Sequence, residues 1–215
     1  MIESSQNSSS CVLQLEGVCK FFGAIRVIEG RNLKVDRGTS LCLLGPSGSG
    51  KSTLLKLMAL IARPDKGSVV VDGISTVGMN QDDLDRLRAK KISYSFQEPL
   101  LIPYLNALEN VVDVLGADVQ KAKEIMSVLG LADRLNHPPS KLSGGEKKRV
   151  DLARAMLKES PIILADEPYS FIDPETADKI ANAFNEFTDK SRTLVYTAVD
   201  PNHARFADMS LDLSK

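Results

Sequence analysis

Eight consecutive residues follow the pattern G-x-x-x-x-G-K-[ST], whose residue types and spacing suit the binding of phosphate groups. They are Gly45, Pro46, Ser47, Gly48, Ser49, Gly50, Lys51 and Ser52, and Thr53 follows directly. An apolar segment of buried-strand type, Ser40 to Leu44, precedes the pattern, and helix-forming residues follow it as far as Ile61. A strand, a glycine loop and a helix N-terminus in this order direct backbone N–H groups at one anion.

Two side chains of this loop are suited to the same ligand. Lys51 would reach the terminal phosphates of a nucleotide, and the hydroxyl of Ser52 would ligate Mg²⁺. The alternative is a glycine-rich turn that happens to carry a lysine, and the flanking strand and helix argue against it. The sequence therefore predicts a site for a nucleoside triphosphate.

A second candidate group is a pair of carboxylates, Asp166 and Glu167, which follows the apolar strand pattern of Ile162 to Ala165. Charges at the carboxyl end of a strand lie where α/β proteins bind their ligands. Because side chains alternate along a strand, the two carboxylates are expected on different sides. Asp166 suits Mg²⁺, and Glu167 suits orienting or deprotonating an attacking water. Without the phosphate loop in the same chain, a solvated strand end would be the preferred interpretation.

A third group begins with Leu142, followed by Ser143, Gly144, Gly145 and Glu146. Ser-Gly-Gly at a helix start leaves free backbone donors and a hydroxyl that can face an anion. The alternative is a plain N-cap, since Ser is a favoured capping residue. The basic run Lys147-Lys148-Arg149 behind it is interpreted as a solvated helix face.

The composition limits the class of protein. A chain of 215 residues with net charge −1 suits one α/β domain and carries no overall positive charge for nucleic acid. Cys11, Cys19 and Cys42 are scattered without metal-ligand spacing, which is typical of free thiols in a reducing compartment. No apolar run approaches the roughly 18 residues of a membrane span, and no secretory signal is evident. We therefore expect a cytoplasmic protein that reaches a membrane only through a partner.

Strand and helix patterns alternate along the chain, which favours a mostly parallel sheet. Strands are predicted at 12–18, 33–35, 40–44, 68–71, 92–96, 161–165 and 193–197, with a turn at 20–23. Helices are predicted at 53–61, 81–90, 105–115, 119–129, 143–158, 174–187 and 201–208. The polar residues 1–11 are expected to form a disordered tail.

These motifs resemble, in family order, the ATP-binding subunit of ATP-binding-cassette transporters. The resemblance rests on residues 45–53, Gln97, 142–146, 162–167 and 170–173, and it covers about Val12 to Leu213. It implies a P-loop core with a mostly parallel sheet, an antiparallel β edge and a small helical lobe at about 100–142, all within one ATPase domain at 12–215.

The resemblance also implies roles for individual residues. Two subunits would meet head to tail and enclose two ATP molecules, so that Ser143, Gly144 and Gly145 of one face the phosphate loop of the other. Gln97 would contact Mg²⁺ and the lytic water, Glu167 would be the general base, and Asp173 would link the two sites. Phe22 aligns with an aromatic residue that stacks on adenine. A core phenylalanine is the alternative for Phe22, and Phe21 is the second candidate for the stacking residue.

One position departs from the family pattern. The family usually has a histidine after a late strand, where this chain has Val199, and valine cannot donate a hydrogen bond. His203, four positions later, is interpreted as a surface helix residue rather than as a displaced switch histidine. An ATP-binding regulatory subunit with weak or no hydrolysis is therefore the alternative to a working ATPase.

The resemblance implies two partners, a second ATPase subunit, with a homodimer favoured, and a transmembrane permease subunit, while nucleic acid is not expected. The segment from Gln97 to Tyr104 combines the mechanistic glutamine with apolar residues that can receive a helix of the permease. The alternative is that these apolar residues pin the helical lobe to the core. The sequence leaves the transported substrate open.

Overall fold

The computed structural model describes residues 11–170, 172–188 and 191–214. The predicted tail at 1–11 lies outside the described residues except for Cys11, which begins the first strand. The strands are β1 (Cys11–Phe22), β2 (Ile25–Asp36), β3 (Ser40–Leu44), β4 (Lys66–Val71), β5 (Ile74–Ser75), β6 (Ile92–Ser95), β7 (Ile162–Ala165), β8 (Thr193–Ala198) and β9 (Met209–Asp212). The α-helices are α1 (Lys51–Met58), α2 (Gln81–Lys91), α3 (Ala107–Leu115), α4 (Val119–Val128), α5 (Gly144–Leu157) and α6 (Pro174–Thr188).

Five strands form a parallel sheet in the order β6-β7-β8-β3-β9. Every residue of β7 and β8 is buried, as expected of parallel strands with both faces covered. The predicted α/β class is therefore confirmed. Because all strands run the same way, the loops after β3, β6, β7 and β8 meet at one edge of the sheet.

The side chains of this sheet separate two hydrophobic cores. On β3, Leu41 and Leu43 belong to the core with α1 and the antiparallel strands, and Cys42 belongs to the core with α3 to α6. On β7, Ile162 and Leu164 belong to the core with α1, and Ile163 belongs to the core with α3 to α6. This alternation explains why the central strands are apolar on both faces.

An antiparallel sheet in the order β2-β1-β4-β5 lies at the edge of the molecule. The predicted end of the first strand at residue 18 is wrong, because β1 continues to Phe22, where a turn at 20–23 was predicted. Register shifts lie between Leu15 and Val18 and between Val18 and Lys20. Such irregularities break the alternation of apolar and polar residues on which the sequence pattern depends.

The chain after β8 differs from the prediction in two ways. The short helix predicted at 201–208 is a 3-10 helix that ends at Phe206. It is followed by β9, which the sequence did not predict and which pairs with β3. The strand has four residues and is largely exposed, so it lacks the apolar run that marks the other parallel strands. The side chain of Asp208 fixes its start, since Oδ2 accepts from both the backbone N and Oγ of Ser40 at 2.7 Å.

The predicted helices of the central segment are present, and a buried asparagine connects them to the loop before them. Asn110 on α3 accepts from the backbone N of Ile102 at 2.7 Å and donates to the carbonyls of Ile102, Leu105 and Asn106. The side chain is fully buried, so these bonds replace its hydration. The apolar residues of α3 and α4 pack in the core that contains α5 and α6.

Replacing Asn110 with Ala should remove these hydrogen bonds from partly buried backbone groups of the 102–106 loop, of which the carbonyls of Ile102 and Asn106 keep a backbone donor. We expect the free energy of unfolding to fall by about 1–3 kcal/mol, measured by urea denaturation. The exposed helix residue Asn182 provides a control, for which Ala should change stability by at most about 0.5 kcal/mol. Equal losses for the two variants would contradict a structural role for the Asn110 bonds.

Candidate functional site

The glycine loop connects the end of β3 to the start of α1, as the sequence predicted. Gly50 caps the helix with φ +91°, in the left-handed region that favours glycine. A Cβ at this position would lie 3.1 Å from the backbone O of Val27. Both the backbone conformation and the close approach of β2 therefore require glycine here.

Two polar side chains of the phosphate loop are suited to binding a polar ligand. Lys51 is 4% exposed, and its Nζ donates to the carbonyls of Gly45 at 2.7 Å and Pro46 at 2.9 Å. The hydroxyl of Ser49 is buried and has no hydrogen-bond partner among the described residues. Buried polar groups are rarely left in this state, and phosphate oxygens would satisfy the hydroxyl while attracting the ammonium group.

A cleft of about 420 Å³ lies over the loop, and Phe22, Val27, Gln97 and Glu167 form its other borders. The side chain of Phe22 is 54% exposed, so it is not the core phenylalanine of the alternative interpretation. The Nζ of Lys20 lies 5.7 Å from the centroid of its ring. An exposed phenyl face at the mouth of the cleft is suited to stacking against a planar base.

The predicted metal-binding residues Ser52 and Asp166 are in direct contact. The Oγ of Ser52 donates to Oδ1 of Asp166 at 3.0 Å, and the Oγ1 of Thr197 donates to the same oxygen at 2.7 Å. Across the described ranges, no group of three or more His, Cys, Asp or Glu side chains could hold a metal. One hydroxyl and one carboxylate fit Mg²⁺, which commonly keeps waters and takes further oxygens from phosphates.

Glu167 lies after the end of β7, and its backbone has φ +49°. Its backbone N donates to Oγ1 of Thr197 at 2.8 Å, and its Oε2 accepts from Oγ of Ser170 at 2.9 Å. A left-handed glutamate costs on the order of 1 kcal/mol, so its direction depends on these contacts as well as on the alternation along β7. The same Thr197 hydroxyl thus contacts both the carboxylate of Asp166 and the backbone of Glu167, a role that the sequence analysis did not assign.

The Ser-Gly-Gly group lies at the start of α5, where Ser143 forms a capping box with Glu146. The Oγ of Ser143 accepts from the backbone N of Glu146 at 3.2 Å, and the backbone N of Ser143 donates to Oε2 of Glu146 at 2.7 Å. Arg134 also donates to Glu146, at 2.7 Å. The bond from the Ser143 backbone, followed by the one from Arg134, lowers the pKa of Glu146 to about 2. Ser143 therefore acts as the N-cap of α5 within its own subunit, as in the alternative interpretation.

The residues that border the phosphate-loop cleft in the described part of the chain do not include Ser143, Gly144 or Gly145. The two glycines instead border a smaller cavity of about 210 Å³, together with Gln97 and Glu167. The structure therefore brings together the loop, Gln97, Asp166 and Glu167, and places the two glycines at a separate cavity that shares Gln97 and Glu167 with the cleft.

The interpretation of residues 147–149 as a solvated face is wrong for Lys148. This side chain is 6% exposed, and its Nζ donates to the carbonyls of Phe96 and Asp166, the latter at 2.6 Å. Burial lowers the pKa of Lys148 to about 8, although nearby carboxylates counteract the shift. One turn further along α5, the buried Asp151 accepts from the Oγ of Ser95 at 2.8 Å and the backbone N of Phe96 at 3.0 Å. The signal in the sequence is two charges three residues apart that share the inward face of α5.

Val199 follows β8 and is 43% exposed, at the border of a cavity of about 570 Å³ that Ser47, Glu167 and His203 also line. His203 is half-buried rather than fully at the surface, with its ring centroid 5.3 Å from that of Tyr169. The pKa of His203 is lowered, mainly because the ring is partly buried. The histidine thus lines the same cavity as the candidate base, although its ring packs against aromatic side chains.

Asp173 caps the start of α6. Its carboxylate accepts from the backbone N and the hydroxyl of Thr176 at 2.9 and 2.6 Å, and these bonds lower its pKa. The neighbouring position 171, part of the predicted motif, lies outside the described residues. The structure therefore gives Asp173 a role within its own subunit, and the predicted role between subunits stays a prediction.

A strand, a glycine loop and a helix, with a buried lysine and a serine-aspartate pair, define a P-loop protein that binds a nucleoside triphosphate. A family model described as ABC transporter matches residues 28–170. The chain belongs to this family as an ATP-binding subunit, and the resemblance found in the motifs is confirmed.

Curated relatives and solved structures agree with this assignment. The lipoprotein-releasing system ATP-binding protein LolD of Bacteroides thetaiotaomicron is 36% identical over 210 residues, which cover 94% of this chain and 96% of the relative. An uncharacterized ABC transporter ATP-binding protein of Thermotoga maritima is 38% identical over 195 residues, with 86% and 83% covered. The ATP-binding cassette MJ0796, solved as a dimer in a post-hydrolysis state with ADP and Pi, matches with a TM-score of 0.86 at 35% identity and covers 94% of each chain. Within the described part of this chain, no helix is both long and apolar enough to cross a membrane.

The capping box should make stability depend on pH in a defined window. Because the pKa of Glu146 is lowered from 4.5 to about 2, its contribution is present above pH 4.5 and is lost as the pH falls towards 2. Replacing Glu146 with Gln should lower the free energy of unfolding by about 1 kcal/mol at pH 7, with a smaller difference from the parent at pH 3. Urea denaturation at both pH values measures this. Glu175 paired with Lys179 on the surface is the control, and its Gln variant should show no comparable pH-dependent difference.

Proposed function

We propose that two copies of this subunit bind two ATP molecules head to tail and hydrolyse them to power transport through a membrane permease. The observation that carries the proposal is the convergence of the phosphate loop, the Ser52–Asp166 pair and Glu167 on one cleft. Among the relatives, the cassette MJ0796 is described as a dimer bound to ADP and Pi, which supports both the dimer and the hydrolysis.

The side chains of the cleft have distinct parts in this proposal. Lys51 would exchange its bonds with the loop carbonyls for bonds with the terminal phosphates, since an anion is a better partner for an ammonium group than a carbonyl. Ser52 and Asp166 would hold Mg²⁺, with Gln97 as a further ligand. The ion would supply charge neutralisation at the phosphates. Phe22 would stack on the adenine base.

Glu167 would orient the attacking water and accept its proton. Glu167 borders two cavities, one over the phosphate loop and one beside Val199. The bond from Ser170 leaves Oε1 available as an acceptor for a water molecule. General base catalysis of this kind contributes typically about 10²–10⁴-fold to a rate.

The Ser-Gly-Gly group supports the head-to-tail arrangement. Since it does not border its own phosphate-loop cleft, its ligand would be the nucleotide of the other subunit. The Oγ of Ser143 accepts from Glu146 within the subunit, which leaves its O–H to donate to a phosphate. No described atom lies within 4 Å of a Cβ built on Gly144, so this chain alone does not require glycine there.

The segment after Gln97 supports docking of a permease on the cytoplasmic side of the membrane. Leu100 and Tyr104 expose apolar surface, with 84% of Tyr104 accessible. The loop beneath them is held by Asn110 and by a bond from Arg154 to the carbonyl of Leu100. A rigid loop with exposed apolar side chains suits the binding of a short amphipathic helix. Because several relatives are named for lipoprotein release, lipoproteins are the first cargo to test.

The second candidate function is an ATP-binding regulatory subunit that pairs with a competent homologue. Val199 favours it, because a valine at the border of the cavity beside Glu167 offers no hydrogen-bond donor. Loss of one preorganised donor of this kind can lower a rate by about 10²–10³-fold.

Steady-state phosphate release with Mg-ATP separates the two candidates. For an ATPase, the parent protein should turn over, and turnover should be abolished in Lys51→Ala and Glu167→Gln. Val199→His should raise the rate about tenfold or more by adding a donor near the phosphate. A parent that binds ATP without turnover, with activity appearing only in Val199→His, would support the regulatory subunit instead.

Gly144→Ala tests the contact between subunits. The added methyl group would meet no other group of its own subunit within 4 Å, so thermal stability should be unchanged or slightly raised. In the Glu167→Gln background, ATP should drive dimer formation at least tenfold less effectively, because the methyl group would meet the nucleotide of the partner. Analytical ultracentrifugation with and without ATP measures the dimer. An unimpaired dimer would contradict the assigned contact.

A further inference from the structure

We propose that Lys148 is a positioning residue that connects the helix carrying the Ser-Gly-Gly group to the chain at Gln97 and Glu167. The proposal rests on the proposed function, since it assigns Lys148 a part in the hydrolysis carried out at that cleft. The new element is a physical connection between two surfaces of one subunit. One surface would meet the partner's nucleotide, and the other carries the residues that would act on the subunit's own nucleotide.

The two acceptors of Lys148 lie next to two candidate catalytic residues. They are the carbonyls of Phe96 and Asp166, which immediately precede Gln97 and Glu167 in the chain. One ammonium group therefore joins the ends of β6 and β7, at the point where each strand leads to a candidate catalytic residue. The side chain is buried, so water does not compete for these bonds.

Asp151 extends the same connection. It accepts from the Oγ of Ser95 and the backbone N of Phe96, and Arg154 donates to its other oxygen. Lys148 and Asp151 lie three residues apart on one face of α5, so the N–H and C=O of Phe96 are both held by this helix. A shift of α5 would thus be transmitted to Phe96, and through Lys148 also to Asp166.

The position of α5 gives this connection its significance. The helix begins directly after Ser143, only five positions before Lys148. Gly144 and Gly145 share with Lys148, Gln97 and Glu167 the borders of the 210 Å³ cavity. A nucleotide of the other subunit that moves the start of α5 would therefore move the carbonyls on either side of this cavity. The charged face of α5 would therefore transmit a movement at one nucleotide site to the other nucleotide site.

The same helix provides a matched control. Lys158, at the other end of α5, also donates to a backbone carbonyl of β6, that of Ile92 at 2.6 Å. Ile92 lies at the amino end of the strand, away from the cleft. Met in place of either lysine removes one ammonium group from α5 or its C-cap, and with it a bond to a carbonyl of β6 or of the residue that follows β6. Only Lys148 contacts the chain next to the candidate catalytic residues.

The first measurement is hydrogen exchange of the backbone amides without nucleotide, which does not depend on hydrolysis. In Lys148→Met, the amides of Phe96, Asp166 and Glu167 should exchange at least tenfold faster than in the parent. In Lys158→Met they should be unchanged, with faster exchange confined to the region of Ile92. Unchanged exchange at Phe96, Asp166 and Glu167 in Lys148→Met, or the same pattern in both variants, would overturn the proposal.

The second measurement is phosphate release together with binding of a fluorescent ATP analogue. Lys148→Met should lower kcat at least tenfold with the Kd of the analogue within threefold of the parent, and Lys158→Met should leave kcat within twofold. Equal losses of kcat in both variants would indicate a general loss of stability and would overturn the proposal. A parent without turnover would refute the proposed ATPase, and the exchange experiment would still decide the role of Lys148.

If Lys148→Met does not fold, the exchange experiment uses Lys148→Gln instead. The amide of Gln retains two N–H donors without a charge. It should restore at least half of the lost protection at Phe96 and Asp166. A Gln variant that exchanges at these amides as fast as the fully exposed chain would show that donated hydrogen bonds do not hold the strand ends, and would overturn the proposal.

Discussion

The hydrogen bonds around the carboxylate of Asp166 are the interaction on which the site depends. Ser52 from α1 and Thr197 from β8 both donate to one of its oxygens, so three separate elements meet at a single atom. Thr197 also accepts from the backbone of Glu167, which holds that residue in a left-handed conformation. The helix of the phosphate loop, the carboxylate of Asp166 and the candidate base are thereby fixed relative to one another before a ligand binds. Such preorganisation lowers the reorganisation needed when the reaction occurs.

The parallel sheet makes this meeting possible. The strands β3, β7 and β8 lie side by side and run in the same direction, so the loops at their carboxyl ends come together at one edge. The apolar side chains of these strands divide between two cores, and the sheet is held on both faces. Polar groups at the edge can therefore take strained or unpartnered conformations, because the burial of the strands stabilises the whole. The left-handed Glu167 and the Ser49 hydroxyl, which has no hydrogen-bond partner within the described part of the chain, are two examples.

The buried charges of α5 give the site a second layer of support. Lys148 and Asp151 are costly to bury, and their position next to the carbonyl and amide groups of Phe96 accounts for their presence. Their bonds link a helix whose start faces outwards to strand ends that face the cleft. The side chain of Val199, which lines one cavity together with Glu167, offers no hydrogen-bond donor, and the side chains that hydrogen-bond to Glu167 in the described part of the chain are those of Thr197 and Ser170.

The sequence by itself determined the family, the α/β class and the identity of the phosphate loop, because each of these depends on local spacing. A glycine pattern between an apolar strand and a helix is recognisable within about 25 residues. The tertiary structure decided which hydroxyl contacts both Asp166 and Glu167, since Thr197 is 31 residues from Asp166 and carries no motif of its own. It also decided that Lys148 is buried, because a basic run looks solvated until the strands that cover it are in place. The unpredicted strand β9 has the same cause, as its pairing with β3 depends on a partner more than 160 residues away rather than on its own residues.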